Sequence, residues 1–124
     1  MLQKINAEWV LRIAIAGEFI GHGAFALQGK EGWFKYFYPF GITDPQTIVG
    51  ILMVVGIVDI LLALHVLIRP VRPLLLWMAF WGLWTAMIRW PFGPDPFWDF
   101  VERFANWGAP LALALLMNTT RKSQ

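Results

Sequence analysis

Val10 to Leu27 reads VLRIAIAGEFIGHGAFAL, and this stretch decides what kind of protein the chain is. At 1.5 Å per residue its length comes to about 27 Å, near the thickness of a bilayer's hydrocarbon core. Yet Glu18 and His22 stand inside it. They are one helical turn apart, so they project from one face. A carboxylate left in lipid at mid-membrane costs on the order of 3 kcal/mol. That face must therefore look into an interior built by other apolar segments. The run is full length and no cleavage site follows it, so it reads as a permanent span and not as a signal peptide.

Composition agrees. Of 124 residues, 58% are hydrophobic and only 15% are charged. A soluble domain of that size has too little interior to bury so much apolar surface, and a membrane class follows. Eight Trp and ten Phe add to this, many lying near segment ends where aromatic belts meet the headgroups. Cys is absent, which excludes thiolate catalysis, Cys-ligated iron–sulfur clusters and haem attached through Cys. Basic residues are scattered and form no patch, so no nucleic-acid partner is expected.

Three further spans follow the first, at about 48–68, 74–90 and 97–117. Between the first two lies GKEGWFKYFYPFGITDPQT, residues 29–47. It is too aromatic for free solution and too broken by Pro39, Gly41 and Pro45 to span. It is expected to lie over the mouth as an interfacial hairpin or short helix. Arg69 to Pro73 makes a basic, proline-punctuated turn, and Pro91, Pro94 and Pro96 interrupt the last connection. Pro110 falls inside the last span, where it is expected to kink the helix or free a carbonyl. The expected architecture is all-α: one transmembrane domain, residues 1–124, forming an integral membrane antiparallel four-helix bundle with an aromatic loop between helices 1 and 2. Lys4, Arg69, Arg72, Arg121 and Lys122 fall on one side, against Lys30 and Lys35 on the other. Both termini are therefore expected to be cytoplasmic, in a multi-pass protein.

Depth and helical phase gather the polar residues. Glu18 and Asp59 fall near mid-span. His22, Arg89, Asp99, Glu102, Arg103 and Asn106 fall in the outer half, and Arg12 and His65 near the cytoplasmic edge. Asp99, Glu102 and Asn106 share a face of the last helix. Buried ionisable groups of this kind mark functional sites. They also have a structural reading, in which the acids pair with Arg12, Arg89 and Arg103 and fasten the helices together. A His beside a carboxylate suits proton transfer or hydrogen bonding. Trp77, Trp81, Trp84 and Ile88 are spaced as one stripe, able to stack on a flat ring or to form a lipid or interhelix surface. Gly17, Gly21 and Ala24, and Ala105, Gly108, Ala109 and Ala112, mark expected close-packing faces. Glu18 and His22 could give a metal two ligands and Asp59 a third, but no helix carries a Glu-x-x-His pair, and no metal site is expected. His22 and His65 stand at different depths, which argues against a haem between them.

Several of these residues bear a family resemblance: Arg12, Gly17, Phe19 and His22-Gly23 in the first helix, then Lys30, Phe37 and Gly41-Ile42 leading to Gly50, and the mid-helix acid Asp59. With them the chain resembles the DoxX-like superfamily of small four-helix membrane proteins, mainly over its first two helices. Where that pattern usually has Glu followed by small residues, this chain has Asp59-Ile60-Leu61-Leu62-Ala63. The resemblance implies a bacterial cytoplasmic (inner) membrane protein, often a small subunit, some relatives being tied to quinone oxidoreduction. It supports His22 and Asp59 as site positions.

The expected function is that of a subunit binding a quinone or similar lipophilic ring, as part of a homo-oligomer or larger membrane complex in the bilayer. Its ligand-binding or proton-handling residues would be Glu18, His22, Asp59, Arg89, Asn106, Trp81 and Trp84. The alternatives are a structural accessory subunit, and a binder or transporter of a small anionic amphiphile drawn by Arg89 and Arg103.

Overall fold

A computed structural model describes residues 2–123, with side chains described for 6–117. Helix is the only regular structure among the described residues. It runs as α1 (Leu2–Leu27), two short 3-10 helices (Glu31–Tyr36 and Tyr38–Phe40), α2 (Pro45–Ile68), α3 (Arg72–Met87), α4 (Phe97–Val101) and α5 (Phe104–Ser123). Two of these, over Asn6–Leu27 and Pro45–Ile68, are long and apolar enough to cross a membrane. Large apolar side chains stand exposed on their outer faces, among them Val10, Ile13, Val54 and Leu61.

Local chemistry sets the helix ends. At the end of α1, Gly29 turns left-handed (φ 65°). Its N–H then donates to the Ala26 carbonyl and that of Lys30 to the Phe25 carbonyl, the paired bonds of a Schellman stop. Asp44 caps α2, accepting from the Thr47 N–H at 3.2 Å and the Thr47 hydroxyl at 2.8 Å, with Pro45 in the first turn. Those bonds hold the Asp44 carboxyl below its usual range. At the other end of α2 the last carbonyls have no helical partner. Arg12 of α1 reaches them, its Nε donating to Val66 O at 2.8 Å and its NH2 to Leu67 O at 2.6 Å. A cation is thus seated at the negative end of the helix, and its guanidinium lies over the Trp9 ring.

The third and fourth expected spans come out differently. α3 ends at Met87, and residues 88–90 continue as turn, so Arg89 lies past the helix and not on its face. The fourth breaks at Glu102 and Arg103 into α4 and α5: the Arg103 N–H donates to the Phe100 carbonyl and the Asn106 N–H to the Arg103 carbonyl, each three residues back where a helix would reach four. Asp99 and Asn106 therefore do not share one continuous helix face. Pro110 sits within α5 and is fully buried.

Packing is pairwise: α2 lies on α1 and α3 on α5, α1 joins the pairs through α5, and α2 has at most glancing contact with α3. One core gathers Ile15, Ala16 and Phe19 from the middle of α1 and Leu62, Ala63 and Val66 from the second half of α2. Leu75 and Met78 of α3 and Leu113 and Ala114 of α5 complete it. Half of the molecule is therefore solid. A smaller cluster of Ala26, Ile48 and Leu52 lies at the opposite end, under Trp33, Phe34 and Phe37.

The close crossings are not where the small-residue stripes suggest. A Cβ on Gly17, Gly21 or Gly108 would meet nothing within 4 Å. On Gly56 it would stand 2.8 Å from both the Gly23 carbonyl oxygen and Leu27 Cγ. On Gly82 it would strike the Asn106 backbone. Glycine is needed at positions 23, 56 and 82 because backbone meets backbone there, whereas Gly17 and Gly21 leave an open face on α1.

Gly56→Val and Gly82→Val are expected to lower the thermal unfolding midpoint in detergent markedly, while Gly17→Ala leaves it nearly unchanged. Arg12→Leu strands two carbonyls and is expected to cost about 2 kcal/mol in the same measurement. Equal tolerance at positions 17, 56 and 82 would contradict the crossings described.

Candidate functional site

The half of the molecule opposite the main core is hollow. A cavity of about 320 Å³ lies between α2 and α3, at the lower end of the range for small-molecule sites. Its walls follow from the pairing of the helices. Since α2 and α3 each lean on a different partner, nothing draws them together, and side chains from both face the gap. From α2 come Ile51, Leu52, Val55 and Asp59; from α3, Trp81, Trp84 and Thr85; from α1, His22. The aromatic connection after α1 forms the roof with Trp33, Tyr36, Phe37 and Phe40.

The aromatic walls are held from behind. Trp81 is stacked on Trp77, with centroids 5.9 Å apart and planes 22° apart. Trp84 is held between Phe40 at 5.9 Å and Phe92 at 6.0 Å. His22 meets the Trp33 ring edge-on at 6.0 Å. Thr85 donates its hydroxyl to the Gly82 carbonyl at 3.0 Å, which leaves its lone pairs free.

Asp59 stands out among the polar groups. It is 3% exposed and forms part of the cavity wall. Among the described residues its carboxyl has no hydrogen-bond or ion-pair partner. Native proteins rarely leave such a group unserved, because burying it alone costs free energy. It is thus an unpartnered acid facing a void.

A second polar assembly closes the roof. Tyr36 donates its hydroxyl to Asp95 Oδ2 at 2.7 Å, and Arg89 donates to the same hydroxyl. Lys35 Nζ lies 3.1 Å from Asp95 Oδ1, and Arg89 NH1 lies 3.7 Å from Oδ2. This latch ties the first loop to the last. Burial, with help from the bond to Asp95, pushes the Tyr36 phenol up to about 12. Partial burial pushes Asp95 up, but the bonds from Tyr36 and Lys35 and the charges of Lys35 and Arg89 outweigh it, and its carboxyl sits below the usual range.

The expected site residues divide. His22, Asp59, Trp81, Trp84 and Arg89 meet at the cavity. Glu18 is half-buried and outside the cavity wall, in electrostatic reach of Arg103 and Asp59. Arg103, at the break between α4 and α5, also reaches His22 electrostatically. Asn106 lies away from the cavity, its backbone against Gly82. Arg89 pairs with Asp95 and Tyr36 instead of the Asp99 and Glu102 cluster. Asp95 is the residue that spacing did not single out; its one signal is an acid set between Pro94 and Pro96, where the chain is stiff. His65 faces elsewhere and donates Nδ1–H to the Leu62 carbonyl at 2.6 Å. Among the described residues no three His, Asp or Glu side chains come together as a metal site would need. No family model, curated protein or solved structure matches this chain.

The latch gives stability a predictable dependence on pH. With the Asp95 pKa depressed, its contribution is present above the ordinary carboxylate pKa and is lost as pH falls below about 4. With the Tyr36 pKa raised, its contribution is present below about 10 and is lost as pH climbs towards the folded value. Melting curves of Asp95→Asn are expected to lack the acid limb and those of Tyr36→Phe the alkaline limb. Unchanged limbs in both variants would show that the latch does not form.

Proposed function

We propose that this chain is a small multi-pass membrane protein that binds a flat lipophilic ring, a quinone, in the cavity between α2 and α3. The observation that carries this reading is the unpartnered Asp59 carboxyl in a cavity otherwise walled by aromatic and aliphatic side chains. A quinone needs both features: faces to stack on, and a proton-bearing group at a carbonyl. Trp81 and Trp84 supply the faces. Asp59 gives and takes a proton or hydrogen bond at one carbonyl. His22, in the same wall, does so beside it. Glu18, behind the wall, serves as a relay towards Asp59.

In this reading all four expected spans cross the membrane, α4 and α5 together forming the last as a broken helix. Such breaks are tolerated where protein covers them. The wide apolar outer faces suit lipid. The resemblance to DoxX-like proteins points the same way, to a subunit in a bacterial inner membrane with both termini cytoplasmic. Redox work then takes place with a partner, for which the open Gly17–Gly21 face leaves room. An anionic amphiphile is less well served, because Arg89 NH1 is engaged by Tyr36 and Asp95 and most of the cavity wall is aromatic or aliphatic.

The test is calorimetric titration of the protein in lipid nanodiscs with a quinone. Binding is expected in the wild type, and Asp59→Asn and Trp84→Ala are each expected to weaken it roughly tenfold, while Asp44→Asn has no effect. No saturable binding, or equal binding by all variants, would refute the assignment.

A further inference from the structure

The cavity does not end at Asp59. A second hollow of about 120 Å³ continues along the same seam between α2 and α3. Val55, Asp59 and Trp81 line both. The remaining walls of the second are Val54, Val58 and Trp77, which are 63%, 41% and 44% exposed. The hollow thus begins at the buried carboxyl and opens on the side of the molecule, among side chains that meet lipid in the membrane reading. Its lining is apolar apart from Asp59. It is less than half the volume of the main cavity and open along one side, with room for a hydrocarbon chain.

We propose that the ligand carries a single long hydrocarbon tail, and that the tail leaves the ring cavity sideways through the α2–α3 seam, past Val58 and Trp77, into the bilayer. This inference rests on the ring-binding reading and narrows it to a tailed lipophile that arrives from the membrane. Three features meet at the seam. The two helices have at most glancing contact, so the seam need not be forced open. The two hollows share a wall of three residues. Asp59 sits at that junction, where a ring would be anchored with its tail already in the groove. The tail gains little over lipid by lying there, since both are apolar. The groove acts by permission: a tailed ring seats only if its tail has a way out.

Val58→Trp fills the groove without touching the main cavity. Ile57→Trp adds the same bulk to the neighbouring position, 51% exposed and outside both linings. The probes are a quinone with a long isoprenoid tail and the same ring without one, each titrated into wild type and both variants in nanodiscs of one lipid. Partitioning of each probe then cancels in the comparison. Val58→Trp is expected to weaken the tailed quinone at least roughly tenfold and to leave the bare ring within about twofold, while Ile57→Trp changes neither. Val58→Phe gives a smaller effect in the same sense and serves if the Trp variant does not fold.

If both probes bind the wild type and Val58→Trp affects them equally or not at all, the lateral tail path is wrong while the ring site stands. If Val58→Trp releases bound phospholipid and leaves tailed binding unchanged, the groove holds a lipid chain and the proposal fails. If neither probe binds the wild type, the ring site itself fails and the tail path with it.

Discussion

The structure depends on how tightly its helices pair two by two. α2 is drawn onto α1 by backbone contact at Gly23 and Gly56, and its end is fastened by the two hydrogen bonds from Arg12. α3 is drawn onto α5 where Gly82 meets the Asn106 backbone. Close packing of this kind fixes each pair and leaves the distance between pairs to the side chains around them. At one end the main core fills that distance. At the other, bulky indoles and the aromatic roof prop the pairs apart, and a cavity remains.

The polar groups follow the same division. Arg12 sits at the solid end, where it is a fastening and nothing more. Tyr36, Arg89, Asp95 and Lys35 sit at the hollow end and bond to one another, joining the first and last loops across the cavity mouth, while Arg89 Nε stays buried without a partner. Asp59 lies where solid meets hollow and is served by neither group. A buried carboxyl in that position is a standing cost to the fold. This one opens on two connected hollows, and that is what the proposed ligand site rests on.

Much of this was legible in the chain. The ends of the first two helices carry local signals, Gly29 for the first stop and Arg69-Pro70 for the turn after the second. Both starts fall earlier than expected: α1 begins at Leu2 and not at Val10, and α2 at Pro45 and not at about 48, because Pro45 is a first-turn residue behind the Asp44 cap and not a breaker. The aromatic run after Gly32 reads as a segment that must lie on something, and it does. Asp59 and His22 were visible as polar residues in apolar helices. The rest depends on tertiary contact. Small residues permit close approach without choosing the partner, so the Gly17–Gly21 stripe and the lone Gly23 could not be ranked by spacing. The break at Glu102 and Arg103 carries no Gly or Pro. Helical phase therefore ran straight through it and put Asn106 on a face with Asp99. Arg89 was assigned to a helix that closes two residues earlier, and its true partner, Asp95, lies in a proline loop where periodicity has nothing to say.

The hollow beside Asp59 is proposed to bind a ring that arrives from lipid. Photolabelling tests it most directly: a quinone with a photoreactive group on its ring, irradiated with the protein in nanodiscs and mapped by peptide mass spectrometry. Label on Ile51 to Asp59 and on Trp81 to Trp84, competed away by unlabelled quinone, is the result predicted. Label spread over the outer faces at Val10, Ile13 and Leu61, and indifferent to competitor, would contradict it.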